Sequence, residues 1–134
     1  MIKHTIHTDI QHGLLDITGL VEKDVEQANV NSGICCVYCP HTTAAITVYS
    51  GVDPLGLLDI NDTLKILVPT RADFHHQCDP PSDAAGHIKS SLIGPSMTFI
   101  IEDGKLVLGS SQNIYFFEFD GPRDRQFYIQ ITGV

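Results

Sequence analysis

Runs of β-branched and aromatic residues, bounded by turn residues, recur along this sequence and predict β-strands. The predicted strands cover 3–10, 34–39, 43–49, 97–101, 105–108, 113–119 and 126–132. Asp103-Gly104 separates the fourth strand from the fifth, and this pair favours a type I′ hairpin turn. The strand at 113–119 is apolar on both faces, so it lies in the centre of a sheet or in a subunit interface.

Helical spacing of apolar residues replaces this pattern in three segments, 17–28, 54–68 and 83–92. Thr18, Asp53 and Asp83 stand at the beginnings of these segments and are the predicted N-caps. The connection 69–82 shows no periodicity, and a connection of this length in a compact domain is usually functional or mobile. Strands interrupted by a few helices predict an α+β fold.

Length and charge narrow the classes of function. With 134 residues, the chain is long enough for one domain with its own core and too short for two domains of typical size. The formal net charge of −8 repels phosphate backbones and anionic lipid surfaces, so neither nucleic acid nor a membrane is expected as a partner. No apolar stretch approaches the roughly 20 residues that cross a bilayer, and the first residues lack the hydrophobic block of a signal peptide. A cytoplasmic location is therefore expected.

The cysteines are Cys35, Cys36, Cys39 and Cys78. Cys36 and Cys39 have the C-x-x-C spacing of a zinc knuckle or a redox pair. They lie in a predicted strand, however, where alternation places them on opposite faces. Buried, inert thiols are the preferred interpretation.

Three of the seven histidines occupy positions from which side chains can converge without serving the core. His41 lies where two predicted strands meet, His76 lies in the long connection and His87 lies on the third helix. Three neutral imidazoles with an open fourth position would form a catalytic zinc site, with Glu118 as a fourth ligand or a general base. Ordinary core or surface histidines are the alternative interpretation.

A second group of side chains has the chemistry of a phosphate site. It comprises Lys89, Ser90, Ser91 and Arg123. Hydroxyls, an ammonium and a guanidinium are donors that hold phosphate, although the same residues could simply form a solvated helix face and a turn. The sequence contains no phosphate-binding P-loop, dinucleotide fingerprint or serine-hydrolase elbow, which argues against those classes.

Several blocks, read together, resemble one known family across nearly the whole chain. The blocks are Pro40-His41-Thr42-Thr43-Ala44-Ala45, Asp59 with Leu67-Val68-Pro69, Gly86 to Ser96, Gly104 to Gly109, and Glu118-Phe119-Asp120-Gly121-Pro122-Arg123. The family is the YjbQ-like family, formerly an uncharacterised protein family and often labelled secondary thiamine-phosphate synthase. The resemblance implies antiparallel sheets packed as a β-sandwich with short flanking helices, a homotrimer, and a polar pocket near a subunit boundary.

The resemblance also assigns roles to individual residues. It implies a catalytic role for His41, His87 and Glu118, and metal coordination by His41, His76 and His87. Substrate or anion binding is implied for Thr42, Thr43, Lys89, Ser90, Ser91, Gln112 and Arg123. One block departs from the family, because Gly109-Ser110-Ser111-Gln112 stands where the family usually reads Gly-Thr-Trp-Gln, so a large aromatic side chain is missing.

Members of the resembled family are credited with joining hydroxymethylpyrimidine diphosphate to thiazole phosphate. The resemblance thus implies a weak thiamine-phosphate synthase activity, with another small phosphorylated metabolite as the physiological substrate. Loss of diphosphate needs cationic or metal stabilisation, so a divalent ion such as zinc or magnesium is a candidate cofactor. The alternatives are a trimeric module that binds a metal or small anion without turnover, and a metal-dependent hydrolase. Glu118 has a plainer alternative too, in which it anchors a neighbouring loop by hydrogen bonds.

Overall fold

The computed structural model describes residues 1–134, which form eight strands and three helices. The strands are β1 (Ile2–Thr8), β2 (Gly13–Asp16), β3 (Gly33–Tyr38), β4 (Ala44–Ser50), β5 (Ser96–Glu102), β6 (Lys105–Leu106), β7 (Gln112–Glu118) and β8 (Arg123–Gly133). The helices are α1 (Thr18–Gln27), α2 (Gly56–Leu67) and α3 (Pro81–Ile93).

The strands form two antiparallel sheets. One sheet has the order β1-β8-β3-β5-β6 and the other has the order β2-β7-β4. The largest hydrophobic cluster combines buried residues of both sheets, such as Phe116 of β7 and Phe127 of β8, with Val21 and Val25 of α1. The chain is therefore a single α+β domain, as the pattern of elements predicted.

β7 is the central strand of the smaller sheet, which explains why both of its faces are apolar. Ile114 and Phe116 belong to the main core, whereas Phe117 packs in a second cluster with Leu64 of α2. Antiparallel pairing places Phe117 beside Leu14 of β2 on one side and β4 on the other. The apolar surface of this strand is thus covered within one chain, and the central-strand alternative is confirmed.

None of the three predicted N-caps is the N-cap of its helix, since Ile17, Leu55 and Pro80 occupy those positions and no side chain caps them. The Thr18 hydroxyl accepts a hydrogen bond from the Ile114 N–H (2.8 Å) and caps nothing in α1. α3 begins at Pro81, so Asp83 lies within its first turn, and its carboxylate bonds His76 and His87. The Asp53 carboxylate does accept the Leu55 N–H (3.0 Å), in the turn that precedes α2.

The hairpin and the long connection agree with the sequence pattern. Asp103 and Gly104 both have positive φ, 52° and 75°, as a type I′ turn requires. No helix or strand forms between α2 and α3. The strand at 105–108 is shorter than predicted, because β6 ends at Leu106, and β2 was not predicted at all. None of the three helices has the length and hydrophobicity that crossing a membrane requires.

Candidate metal site and adjoining cavity

The start of α3 and the connection before it bring His76, Asp83 and His87 together. Asp83 and His87 are four residues apart on α3 and therefore share one face of the helix. Gly86 lets this helix approach the segment before β4 closely, since a Cβ there would lie 3.2 Å from Cγ2 of Thr43. α3 is thereby held directly against the residues that precede β4.

The three side chains meet at one carboxylate oxygen. Nε2 of His76 and Nε2 of His87 each lie 2.9 Å from Oδ2 of Asp83, and the three candidate ligand atoms lie within 4.8 Å of one another. The histidine side chains are 39% exposed, so the cluster opens to solvent. Burial favours the neutral form of Asp83, but hydrogen bonds from the histidines and the charge of His87 outweigh it and lower the pKa of this carboxyl.

The backbone fixes which nitrogen of His87 carries a proton. Nδ1 of His87 lies 3.0 Å from the carbonyl oxygen of Thr42, which can only accept, so Nδ1–H is the donor. In a neutral ring Nε2 then holds a lone pair, and this lone pair faces Asp83 Oδ2 at 2.9 Å. When the ring is protonated, Nε2–H donates to Asp83 as an ion pair, and when the ring is neutral, the lone pair on Nε2 is available to a metal ion.

The donor set fits a divalent metal of the zinc class. Imidazole nitrogen and carboxylate oxygen are common zinc ligands, and three protein ligands leave a position open for a small molecule. Ligands about 2.0–2.2 Å from a tetrahedral ion lie about 3.3–3.6 Å from one another, so the two histidine nitrogens, each 2.9 Å from Oδ2 of Asp83, would move apart from it by roughly half an ångström to admit the ion. A metal-binding histidine usually donates its other ring N–H to a carbonyl or carboxylate oxygen, which fixes the ring orientation. His87 makes such a bond from Nδ1 to the Thr42 carbonyl.

A polar cavity of about 470 Å³ adjoins the cluster at His87. His41, Thr42 and Ser91 contribute to its wall, and no carboxylate lines it. The Ser90 hydroxyl also borders this cavity but donates to the carbonyl oxygen of Ala44 (2.8 Å), which ties α3 to β4.

A second cavity, of about 310 Å³, lies on the other side of His87. Its wall includes Phe74 and Ile88, with the guanidinium of Arg71 4.5 Å from the centre of the Phe74 ring. His87 is therefore shared between a polar cavity and a more apolar one.

His41 lines the polar cavity but does not join the three-residue cluster. Its Nε2 accepts a hydrogen bond from the backbone N–H of Gln126 (2.9 Å). Burial, followed by the charge of Arg125, lowers the pKa of His41, so the ring is neutral near pH 7. The predicted convergence thus holds for His76 and His87, whereas His41 shares only the cavity with His87.

Glu118 is fully buried and lies outside the cavity. Its carboxylate accepts hydrogen bonds from the Thr8 hydroxyl (2.6 Å), from the Asp120 N–H (3.1 Å) and from two nitrogens of Arg125. Burial by itself would raise the pKa of Glu118, but these donors outweigh it and lower the pKa. Arg125 in turn donates to the hydroxyl of Thr43 (2.8 Å), so this geometry favours the anchoring role.

Four predicted anion-binding residues lie away from the cavity, and Thr43 is one of them, because it is buried and its hydroxyl accepts from Arg125. Lys89 is buried on the side of α3 that faces away from His87, and burial lowers the pKa of its amine. Arg123 forms an ion pair with Asp120. Gln112 begins β7, about 20 Å along the strand from Glu118, where its side chain accepts the Gly109 N–H (2.8 Å).

The N-terminal histidines have structural partners. His4 bonds Asp24 (2.6 Å) and stacks on a core phenylalanine, and His7 bonds Asp124 on the surface. His12 donates from Nδ1 to the side-chain oxygen of Asn61 (2.6 Å), while its buried Nε2 has no partner. Burial lowers the pKa of His12 to about 4.

All four cysteines are free thiols. Cys35 and Cys39 are buried, and burial raises the pKa of each to about 11. No cysteine belongs to a group of metal-ligating side chains. The interpretation as inert thiols therefore agrees with the structure for these two residues.

The sequence analysis did not identify two residues, Asp83 as a candidate metal ligand and Arg125 as the partner of Glu118. Asp83 was interpreted only as a cap, although its spacing of four residues from His87 is a signal for a shared ligand face. Arg125 was not singled out, and no local signal could have done so, since its partners Glu118 and Thr43 come from other strands and segments.

Comparison with known proteins identifies the family. The family described as UPF0047 protein YjbQ-like matches residues 2–134. The chain is 45% identical to a UPF0047 protein of Methanocaldococcus jannaschii, covering 99% of this chain and 94% of that protein. It is 38% identical to UPF0047 protein YugU of Bacillus subtilis, covering 96% of each. A crystal structure of a YjbQ/UPF0047 protein from Clostridium acetobutylicum superposes with a TM-score of 0.93 at 42% identity, covering 98% of this chain and 100% of that one. This chain therefore belongs to the YjbQ-like UPF0047 family.

Proposed function

We propose that the protein binds one divalent cation of the zinc class through His76, Asp83 and His87, and holds a small phosphorylated metabolite in the adjoining polar cavity. The observation that carries the proposal is the convergence of His76, Asp83 and His87, whose candidate ligand atoms lie within 4.8 Å of one another. The Nδ1–H bond of His87 to the backbone leaves Nε2 as the nitrogen that would bind the cation. When bound, such a cation would polarise an oxygen of the ligand and balance its negative charge.

The metal proposal is tested with untagged protein, because a histidine tag would itself bind the ion. Metal content after dialysis against a zinc buffer should be one ion per chain, measured by elemental analysis. His76→Ala and Asp83→Ala should each weaken zinc affinity by at least about tenfold. His75→Ala is the matched control, since His75 is an exposed neighbour outside the cluster. The proposal would be rejected if the wild type held no more zinc than a blank sample, or if His75→Ala and His76→Ala lowered zinc affinity equally.

A binding module without turnover is the second candidate, and one observation favours it. No carboxylate lines the polar cavity, and the Nε2 lone pair of His41 is occupied by the hydrogen bond from the Gln126 N–H. The cavity therefore offers donors but no evident general base. An isotope-exchange or product assay on a phosphorylated ligand that binds only in the presence of metal separates the two candidates, since a binding module returns the ligand unchanged.

Thiamine-phosphate synthase activity stays a prediction that comes from the family resemblance. The assay supplies hydroxymethylpyrimidine diphosphate and thiazole phosphate with zinc or magnesium and measures thiamine phosphate. We expect slow condensation that falls in His87→Ala, because His87 joins the cation site to the cavity. A wild-type rate equal to that of His41→Ala and His87→Ala, with every metal, would remove the enzymatic proposal and leave the binding module.

We also propose that the two sheets pack as a sandwich and that three copies associate in the cytoplasm. The outer face of the five-stranded sheet supports association, because Ile34, Tyr38 and Ile100 are 48%, 44% and 61% exposed there. Tyr128 lies beside Tyr38 on this face, and the Lys3 amine lies 5.6 Å from the centre of the Tyr128 ring, so a cation borders the apolar patch of a chain whose net charge is −8. Light scattering should give three times the monomer mass, and Ile100→Lys should lower it. A monomeric wild type would contradict the trimer.

A further inference from the structure

The tautomer of His41 is set by the backbone of β8. A backbone amide can only donate, so the Gln126 N–H at 2.9 Å requires a lone pair on His41 Nε2. The pairing of Gln126 with Thr5 of β1 holds this amide in place. A neutral His41 ring must then carry its proton on Nδ1, which has no hydrogen-bond partner within the chain.

His87 also carries a proton on Nδ1, but the nitrogen that is left without a backbone partner is Nε2 in His87 and Nδ1 in His41. Its Nδ1–H donates to the Thr42 carbonyl, so Nε2 is the nitrogen that faces Asp83 and would bind the proposed cation. In His41 the Nε2 lone pair accepts the Gln126 N–H, and the Nδ1–H has no partner in the chain. The two histidines that line the polar cavity therefore differ in chemistry: His87 offers a lone pair to a cation, whereas His41 offers a hydrogen to an acceptor.

No cationic side chain lines this cavity. Lys89 lies on the other side of α3, and the guanidinium of Arg123 is held by Asp120. The Ser90 hydroxyl donates to the Ala44 carbonyl, so the other polar side chains of the wall are the hydroxyls of Tyr38, Thr42 and Ser91 and the rings of His41 and His87. The wall is therefore neutral and rich in donors, which is suited to oxygen acceptors.

We infer that His41 binds a phosphoryl oxygen of the ligand as a neutral Nδ1–H donor and is not a metal ligand. The ligand's negative charge is balanced by the cation at His76, Asp83 and His87 and not by a lysine or arginine of the cavity. This second half rests on the proposed function, whereas the tautomer of His41 stands independently of it. The charged groups nearest the ring are Arg125 and Arg123, which favour the neutral form, and Glu118, which opposes it.

The first test reads the tautomer directly. Protein labelled with ¹⁵N-histidine is studied by long-range ¹H–¹⁵N correlation near pH 7, with His41→Gln used to assign the His41 resonances. The expected pattern is that of an Nδ1-protonated neutral ring, and it should stay the same when Zn²⁺ is added. An Nε2-protonated ring, or a His41 nitrogen shifted by Zn²⁺ in the manner of a ligand, would overturn the inference.

The second test measures inorganic phosphate binding to zinc-loaded protein by calorimetry. His41→Ala should weaken phosphate binding about tenfold to a hundredfold, as expected for a lost hydrogen bond to a charged acceptor. Zinc content should be unchanged in that variant. His41→Asn should restore part of the affinity, because the asparagine amide can supply an N–H from nearly the same place.

The outcomes separate this inference from the proposed function. Equal phosphate affinity in the wild type and His41→Ala, or loss of zinc in His41→Ala, would overturn the role of His41 while leaving the cation site intact. A wild type that binds no zinc would instead overturn the cation site and the charge-balancing half of the inference. The tautomer measurement would still decide the donor half in that case.

Discussion

Replacing Glu118 with glutamine should destabilise the protein strongly while leaving zinc content unchanged. The carboxylate is fully buried and accepts four hydrogen bonds, and Arg125, which supplies two of them, is only 4% exposed. In Glu118→Gln the amide nitrogen would face donors such as the Thr8 hydroxyl, and the guanidinium would lose its counterion. Breaking a buried pair by removing one partner costs about 3–5 kcal/mol, a large part of the roughly 5–15 kcal/mol that stabilises a domain.

Urea unfolding at pH 7, followed by circular dichroism, measures this effect. Glu102→Gln is the matched control, because Glu102 is exposed on β5 and its replacement should change the free energy of unfolding by no more than about 0.5 kcal/mol. Both variants should bind as much zinc as the wild type. A stable Glu118→Gln protein that has lost zinc or turnover would refute the anchoring role and restore Glu118 as a ligand or a base.

The pH dependence of the same experiment gives a second check on Glu118. Its pKa is lowered in the folded protein because the hydrogen bonds from Arg125 and Thr8 outweigh the effect of burial. The unfolded chain therefore binds the proton more readily, and stability from this carboxylate is present above its ordinary pKa of 4.5 and lost as pH falls below it. The stability gap between the wild type and Glu118→Gln should narrow over that acidic range. A gap that stays constant would mean that the buried charge is not its source.

Three further predictions concern other sites. Zinc at 100 times its dissociation constant should raise the free energy of unfolding by about 2.7 kcal/mol in the wild type and by almost nothing in Asp83→Ala, as measured by thermal unfolding; an equal rise in both would place the ion elsewhere. The pKa of His12 is lowered to about 4, so this ring becomes protonated in the unfolded chain before it does in the folded one as pH falls below 6.5. The wild type should therefore lose about 2 kcal/mol more of its free energy of unfolding than His12→Gln between pH 7 and pH 5. Parallel urea curves at both pH values would contradict this. Lys89→Met should keep or raise stability by up to about 1 kcal/mol without changing zinc or phosphate affinity, because burial disfavours the charge of this amine and the residue lies away from the cavity. Weaker phosphate binding in this variant would show that Lys89 contributes to the site.

The main strands and helices were predictable because their signals are local. Asp103-Gly104 needs only its own backbone preference to form the hairpin turn, and it does so. The errors at Thr18 and Asp83 have one cause, which is that each side chain bonds a residue outside the local cap geometry. The strand β2, with only four residues, offers too short a run for a periodic pattern to appear.

The site was predictable in its residue types more than in its geometry. His76 and His87 converge as expected, because the long connection returns to the helix that follows it. The role of His41 depends on Gln126, which is 85 residues away, so no spacing rule could reveal which ring nitrogen is free. Glu118 was interpreted as a possible base because its strand is apolar, and only Arg125, which comes from the other sheet, shows that its charge is already compensated.

The position of β8 has a consequence for how the protein is made. This strand lies between β1 and β3, and it carries both Arg125 and Gln126, which hold the residues beside the cavity. On the ribosome, β1 emerges first and must wait for nearly the whole chain before its partner appears. Until then β1 and β3 expose unpaired backbone edges, which invite pairing with other chains. Nascent chains that end before residue 123 should therefore depend on chaperones and aggregate readily.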